Sequence, residues 1–190
     1  VADEPAPVVV SPYNAANILT VLRIFLVPVF VVIVAASSMS GTGPRIAACL
    51  VFCLASATDF VDGWIARRWS MVTSFGKIAD PIADKALTGS ALVIFSVYDR
   101  LPWWVTIAIL VREWGVTLLR LWVIRYGIIP ASRGGKLKTV LQIAAIAWYL
   151  WPVPKPFDVV GPWLMGAALI VTVVTGADYV VQAVRLRRRH

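Results

Sequence analysis

The chain has 190 residues, 59% of them hydrophobic and 15% charged, with a mean hydropathy of +0.80. Soluble domains run at ~45–50% apolar and ~25% charged, so the composition argues against an ordinary water-soluble enzyme and against disorder. The surplus of 18 Lys and Arg over 10 Asp and Glu points, in so apolar a chain, to anionic lipid headgroups or phosphorylated substrates in preference to nucleic acid.

A spanning helix needs ~20 mainly apolar residues, and six stretches qualify or come close: 17–37, 45–66, 82–98, 103–124, 139–152 and 160–183. Residues 1–14 precede them with only Asp3 and Glu4 charged. They lack the basic start of a cleaved leader, so the first run is expected to remain as a span. The fifth run is the shortest, and Pro152, Pro154 and Pro156 stop any helix there. Cys49 and Cys53 fall four apart in the second run and are expected to be buried, unligated thiols.

Basic residues set the orientation. With the N-terminus inside, the cytoplasmic loops and tail hold Arg67, Arg68, Lys77, Lys85, Arg120, Arg125, Arg133, Lys136, Lys138, Arg185, Arg187, Arg188 and Arg189, against Arg45, Arg100 and Lys155 outside. Trp103, Trp104, Trp151 and Trp163 fall near the outer ends, and Trp64, Trp69 and Trp122 near the inner ones. The expected fold is therefore all-α: a single polytopic membrane domain over 1–190, six transmembrane helices, both termini cytoplasmic, in the cell membrane. The basic tail 185–190 reads as a topology signal and headgroup anchor.

Acidic residues gather where such a protein tolerates them least. Asp59 and Asp62 close the second span and share a helix face with Gly63, Ala66 and Arg67; Gly76, Asp80 and Asp84 repeat every four residues at the opening of the third. Two helices packed with these stripes facing would bring four carboxylates together, each costing at least a few kcal/mol at membrane depth. Partial protonation, as in a proton relay, is one relief. Divalent cations are a fuller one, and an all-oxygen ligand set points to Mg²⁺ or Mn²⁺. Four carboxylates suit two ions, and paired ions suit in-line displacement at phosphorus. The plainer reading makes the acids helix caps and partners of Arg67, Arg68, Lys77 and Lys85.

The run Asp59, Asp62, Gly63, Ala66, Arg67, Gly76, Asp80 and Asp84 resembles, without gap or substitution over 26 positions, the signature of the CDP-alcohol phosphatidyltransferase family. The resemblance implies a six-helix membrane fold, usually homodimeric, with its site open to the cytoplasm. It also implies that Asp59, Asp62 and Asp80 hold the metals, that Asp84 is both ligand and catalytic base, and that Gly63 and Arg67 bind the CDP moiety. Thr73 falls where the family often places another nucleotide contact.

Three further stretches resemble the bacterial members that use glycerol 3-phosphate: Asn17 to Arg23, Arg112-Glu113 with Leu119-Arg120, and Gly135 to Thr139. The implied reaction takes CDP-diacylglycerol and glycerol 3-phosphate to phosphatidylglycerophosphate and CMP. Charge argues the same way. Arg112 and Arg120 are eight apart on one helix face, Arg112 is inside the membrane by any span count, and Lys136 and Lys138 enter the fifth helix from the cytoplasmic side. Together they suit an acceptor with about two negative charges. Against this stand Arg112 paired with Glu113 or Asp178, and the two lysines as plain positive-inside residues. Asn17, Thr20 and Arg23 recur at i, i+3 and i+6, placed to cap the first helix and reach the donor's phosphates or ribose; a plain N-terminal cap by Asn14 or Asn17 is the alternative for the asparagines.

The nearest rival is a transferase accepting inositol phosphate. A cation transporter would want the acids at the midplane and repeated halves, and a polyprenyl transferase lacks the Gly-Ala-Arg continuation.

Overall fold

A computed structural model describes residues 15–68, 74–123 and 133–187, without the side chains of 15–16, 64–68, 74–78, 120–121, 123 and 133. Its elements are α1 (Ala15–Ser37), α2 (Thr42–Arg68), α3 (Ser74–Val97), α4 (Trp103–Val123), α5 (Arg133–Leu150) and α6 (Val160–Arg187), with a 3₁₀ turn at Phe157–Val159 leading into the last. Every described element is helical. The six helices coincide with the six apolar runs, with two informative differences. Helix α3 starts at Ser74 instead of 82 and α5 at Arg133 instead of 139, so Asp80, Asp84, Lys136 and Lys138 lie within helices and not at their edges.

Three helical stretches, Asn17–Ser37, Thr42–Gly63 and Phe157–Arg187, are long and apolar enough to cross a membrane on length and composition. The other three helices carry charge within their length: Lys77, Asp80, Asp84 and Lys85 in α3, Arg112, Glu113 and Arg120 in α4, and Lys136 and Lys138 in α5. Outside the core, large apolar side chains face outward on several helices, with Phe25 67%, Phe60 75% and Trp163 79% exposed. Water-soluble monomers rarely show so much contiguous apolar surface.

The core is built from Phe30 and Val34 of α1, Ala48, Phe52 and Ala55 of α2, Leu87, Ala91, Leu92 and Phe95 of α3, Ile109 of α4, Ala145 and Ile146 of α5 and Met165 of α6. Alanines at Ala48, Ala55, Ala91 and Ala145 let backbones approach, while Phe30 and Phe52 pack with ring centroids 5.9 Å apart. Cys49 is buried and Cys53 exposed, both free. The expectation of two buried thiols fails at Cys53 because one turn along α2 carries its side chain out of the packed stripe.

Hydrogen bonds identify two ends of the bundle. At one end, the Tyr98 hydroxyl donates to the Ala35 carbonyl (3.3 Å), Ser96 and Thr106 bond at 2.7 Å, and the Trp148 indole donates to the Phe157 carbonyl (3.0 Å). Arg45 joins them, donating from Nε to Leu150 O (3.1 Å) and from one Nη to Tyr149 O (3.1 Å) and Trp151 O (2.8 Å). Tyr149 O and Leu150 O are the last carbonyls of α5, which no intrahelical N–H reaches, and Trp151 O follows just beyond the helix. The α1–α2 turn closes the same end with positive φ at Ser38, Met39 and Gly41 (48°, 57° and 76°), and Met39 is buried beneath it.

Replacing Arg45 with Ala removes the side-chain donor of Tyr149 O and Leu150 O and leaves Trp151 O with the Val153 N–H (2.8 Å). We expect a loss of about 1–2 kcal/mol, read as a lower thermal midpoint in detergent, with Arg45→Lys intermediate because an ammonium cannot match the guanidinium's fork.

Candidate active site

The other end collects nearly every residue singled out from the sequence. Asp59 and Asp62 project from the last turns of α2, and Asp80 and Asp84 from the second and third turns of α3. They do not simply face one another across a shared α2–α3 seam. Helix α1 packs closely on both α2 and α3, which meet each other more sparingly, and its polar stripe meets the acids. Arg23 is completely buried and pairs with two of them: one Nη donates to Asp59 Oδ1 (2.5 Å) and the other to Asp62 Oδ2. One turn earlier, the Thr20 hydroxyl donates to Asp80 Oδ1 at 2.6 Å. Asn17, another turn back, is buried at the start of the same stripe. In this arrangement Thr20 and Arg23 bind the carboxylates directly.

The spacing explains why one helix serves three acids. Residues three apart on a helix lie on one face, so Asn17, Thr20 and Arg23 descend α1 as a polar strip among apolar neighbours. Asp62 is only 3% exposed and Asp59 41%, so the cluster has a closed side against α1 and an open side at Asp59. Asp62 lies within electrostatic range of Asp59 and Asp80, and Asp84 within range of Asp59, Arg23, Lys85 and Lys138. Among the described side chains one guanidinium pairs with these carboxylates, and each carboxylate has a second oxygen with lone pairs to offer. The all-oxygen donor set therefore fits a hard divalent cation. As placed, no three His, Cys, Asp or Glu side chains among the described residues form a ready cage; Arg23 stands between the two that α2 supplies.

The cationic group adjoins on α4, α5 and α6. Glu113 bridges it, accepting from Lys138 Nζ at 2.5 Å and from Arg112 Nη1 at 3.2 Å through the same Oε1. The other terminal nitrogen of Arg112 donates to Thr175 Oγ1 at 2.6 Å. Of the two pairings weighed for Arg112, the structure has Glu113; Asp178 instead accepts from Gln182 (2.7 Å). Lys138 is buried, whereas Lys136, two residues earlier, is exposed, as opposite helix faces require. Lys85 lies 6.0 Å from the Trp114 ring. Near the C-terminal ends of α4 and α6, Arg187 lies over the Trp122 ring at 5.4 Å. Gly63 follows Asp62 on α2, half-buried. Thr73 lies outside the described residues, as do the side chains of Arg67 and Arg120.

On α6 the sequence points to Asp178 and not to Thr175 or Gly176. Thr175 touches Arg112, and a methyl group on Gly176 would stand 2.9 Å from Arg112 Cγ and 3.0 Å from its Nε. Nothing in the local sequence marks a threonine and a glycine within an apolar helix as partners of an arginine 63 residues away.

Arg23→Met should leave Asp62 buried without its counter-charge. Removing one partner of a buried pair costs about 3–5 kcal/mol, so the thermal midpoint is expected to fall sharply. The double variant Arg23→Met/Asp62→Asn should recover part of the loss, and a double-mutant cycle on the two positions measures their coupling.

Comparison with known proteins adds to this geometry. A family model described as CDP-alcohol phosphatidyltransferase matches residues 13–174. The chain is 50% identical over 172 residues, 90% of its own length and 82% of the other's, to a protein of Mycobacterium tuberculosis (strain CDC 1551 / Oshkosh) named "Probable phosphatidylglycerophosphate synthase". It is 37% identical to a Bacillus subtilis (strain 168) protein, covering 88% of this chain and 93% of that one, and 34% identical to one from Escherichia coli (strain K12), covering 90% and 95%. Both are named CDP-diacylglycerol–glycerol-3-phosphate 3-phosphatidyltransferase. The match takes in all four aspartates and the helices that present them, and the chain belongs to the CDP-alcohol phosphatidyltransferase family.

Proposed function

We propose that this protein transfers the phosphatidyl group of CDP-diacylglycerol to glycerol 3-phosphate, giving phosphatidylglycerophosphate and CMP. The observation that supports it most is the adjacency of two oppositely charged groups: Asp84, the last acid of the signature, lies within electrostatic range of Lys138, which Glu113 ties to Arg112. An acidic site that needs cations thus borders a cationic site that suits a phosphate. The names of the relatives support the same substrates.

The reading takes the chain as one domain crossing the cell membrane six times, both termini and the site on the cytoplasmic side. The alternation of helix ends favours it, since the starts of α1, α3 and α5 share one end with the last turns of α2. The active protein is read as a homodimer among membrane lipids.

Asp59, Asp62, Asp80 and Asp84 would hold two Mg²⁺ or Mn²⁺ ions, whose charge supports displacement at the donor's pyrophosphate. Arg67, Gly63 and Thr73 are assigned to the CDP moiety, with Gly63 leaving room beside the acids. Asn17, Thr20 and Arg23 line the donor side and hold Asp59, Asp62 and Asp80 in register. Arg112 and Lys138, with Arg120, take the acceptor's phosphate, and Lys136, exposed on another face of α5, draws the anion toward them by its charge. Asp84 then accepts the proton of the acceptor hydroxyl as the new oxygen–phosphorus bond forms. The bond to CMP breaks in the same displacement, and no covalent bond to the protein is needed.

Purified protein with CDP-diacylglycerol and Mg²⁺ should release CMP with glycerol 3-phosphate in preference to inositol phosphate, serine or a neutral polyol. Better turnover with inositol phosphate would reassign the acceptor. The acids separate by role. Asp59→Asn, Asp62→Asn and Asp80→Asn should each abolish turnover and shrink the thermal shift that Mg²⁺ produces, because an amide removes a charged ligand. Asp84→Asn should keep CDP-diacylglycerol binding while turnover collapses. Wild-type activity at low Mg²⁺ in any of the first three would overturn the two-ion assignment.

A further inference from the structure

Helix α6 supplies nothing to the family signature, and the match to the family ends at residue 174. The next two residues are the ones that touch Arg112. We infer that Thr175 and Gly176 are positioning residues, which set the direction of the Arg112 guanidinium for the acceptor's phosphate. The inference rests on the reading of Arg112 as an acceptor contact.

Two independent features carry it. The first is the hydroxyl of Thr175. A hydroxyl has one proton and two acceptor lone pairs. Thr175 Oγ1 turns its proton back onto its own helix, toward Val171 O at 2.7 Å and Thr172 O at 3.2 Å. Its lone pairs are then left for Arg112 Nη2 at 2.6 Å. The backbone of α6 thereby fixes the rotor, and the rotor fixes the arginine. The second feature is the missing side chain at Gly176. The stem of Arg112 occupies that space, since a Cβ there would meet Cγ at 2.9 Å, Nε at 3.0 Å and Cδ at 3.6 Å. Nε is buried in this slot without a hydrogen-bond partner. An arginine chooses such a slot only if its path is dictated from outside, because an orphaned buried N–H opposes it.

The consequence is a guanidinium with fixed commitments. Of its five N–H donors, Nε–H is held in the slot, one N–H goes to Thr175, and one goes to Glu113. The remaining donors on the two terminal nitrogens share one plane, the geometry that suits a forked contact to phosphate. Arginine on a free stem would spend rotamer entropy to reach that state at each binding event. Thr175 and Gly176 supply it in advance.

The test is steady-state kinetics on Thr175→Val, Thr175→Ser, Gly176→Ala, Arg112→Ala and Arg112→Ala/Thr175→Val, with thermal midpoints recorded alongside. Thr175→Val keeps the shape and removes the acceptor oxygen. Gly176→Ala improves helix propensity and forces the arginine stem aside, and its thermal midpoint separates a stability loss from the change in KM. Both should raise KM for glycerol 3-phosphate about three- to tenfold, with KM for CDP-diacylglycerol changed less than about twofold. Thr175→Ser, which retains the oxygen, should stay near wild type, and Thr175→Val should add nothing once Arg112 is already Ala. If Arg112→Ala raises the acceptor KM but Thr175→Val and Gly176→Ala do not, the positioning role is overturned and the acceptor pocket stands. A further rise from Thr175→Val in the Arg112→Ala background also overturns it. If Arg112→Ala itself leaves the acceptor KM unchanged, the fault lies with the reading of Arg112.

Discussion

Four carboxylates placed within an apolar bundle demand positive charge, and the first structural answer to that demand is Arg23. It is fully buried, yet it is one of the longest and most polar side chains in the protein. The two aspartates of α2 hold it there, and its charge offsets the cost of keeping Asp62 at 3% exposure. The pairing dictates topology as well as charge. Helix α1 has to lie against the ends of α2 and α3, which brings Thr20 to Asp80 and sets Phe30 and Val34 into the core. An isolated buried ion pair is weak evidence of stability, since desolvation offsets most of its attraction. Here the acids are fixed by other requirements, and the arginine is the less costly of the available responses.

The same logic, with signs reversed, organises the neighbouring group. Arg112 and Lys138 lie in the bundle because α4 and α5 carry them there, and Glu113 sits between them as their internal counter-charge. Thus Arg23 stands among acids and Glu113 among bases. In the proposed reaction both arrangements have one advantage: the substrates and ions that enter find each group already desolvated and oriented, and they compete with a single internal partner instead of with bulk water. The opposite end of the bundle is held differently. Its hydrogen bonds are neutral, apart from Arg45 closing the carbonyls of α5, and it serves as the fixed frame.

Much of this was legible in the sequence, for physical reasons that differ from element to element. Six apolar runs gave six helices because a run of about 20 apolar residues has few other ways to bury its backbone groups. The starts of α3 and α5 differ from the apolar runs by eight and six residues because Gly76, Lys77, Asp80 and Pro81, and Arg133, Lys136 and Lys138, interrupt the apolar run while the helix continues. The acidic stripes were legible from spacing alone. Their packing was not: a side-by-side α2–α3 pair was expected, and the insertion of α1 follows from Arg23, whose buried role competes with its reading as a phosphate contact. Lys136 and Lys138 were grouped by proximity in sequence, whereas a helix turns two-apart residues to different faces, and only Lys138 meets Glu113.

What stayed hidden is instructive about the kind of information a sequence holds. Thr175 and Gly176 are common residues in an apolar helix, where small side chains usually mean close packing, and no periodicity sets them apart. Their significance is created by a partner on α4, 63 residues away. Charged residues announce themselves because burying them is expensive; the residues that make such burial bearable need no unusual chemistry, only position. Gly176 acts through the absence of a side chain and Thr175 through a proton already committed to its own backbone. Sites of this construction should therefore be sought by starting from each buried charge and asking which neutral neighbours give it room and direction. Around Arg112, that question leads from the signature helices to one that the signature never reaches.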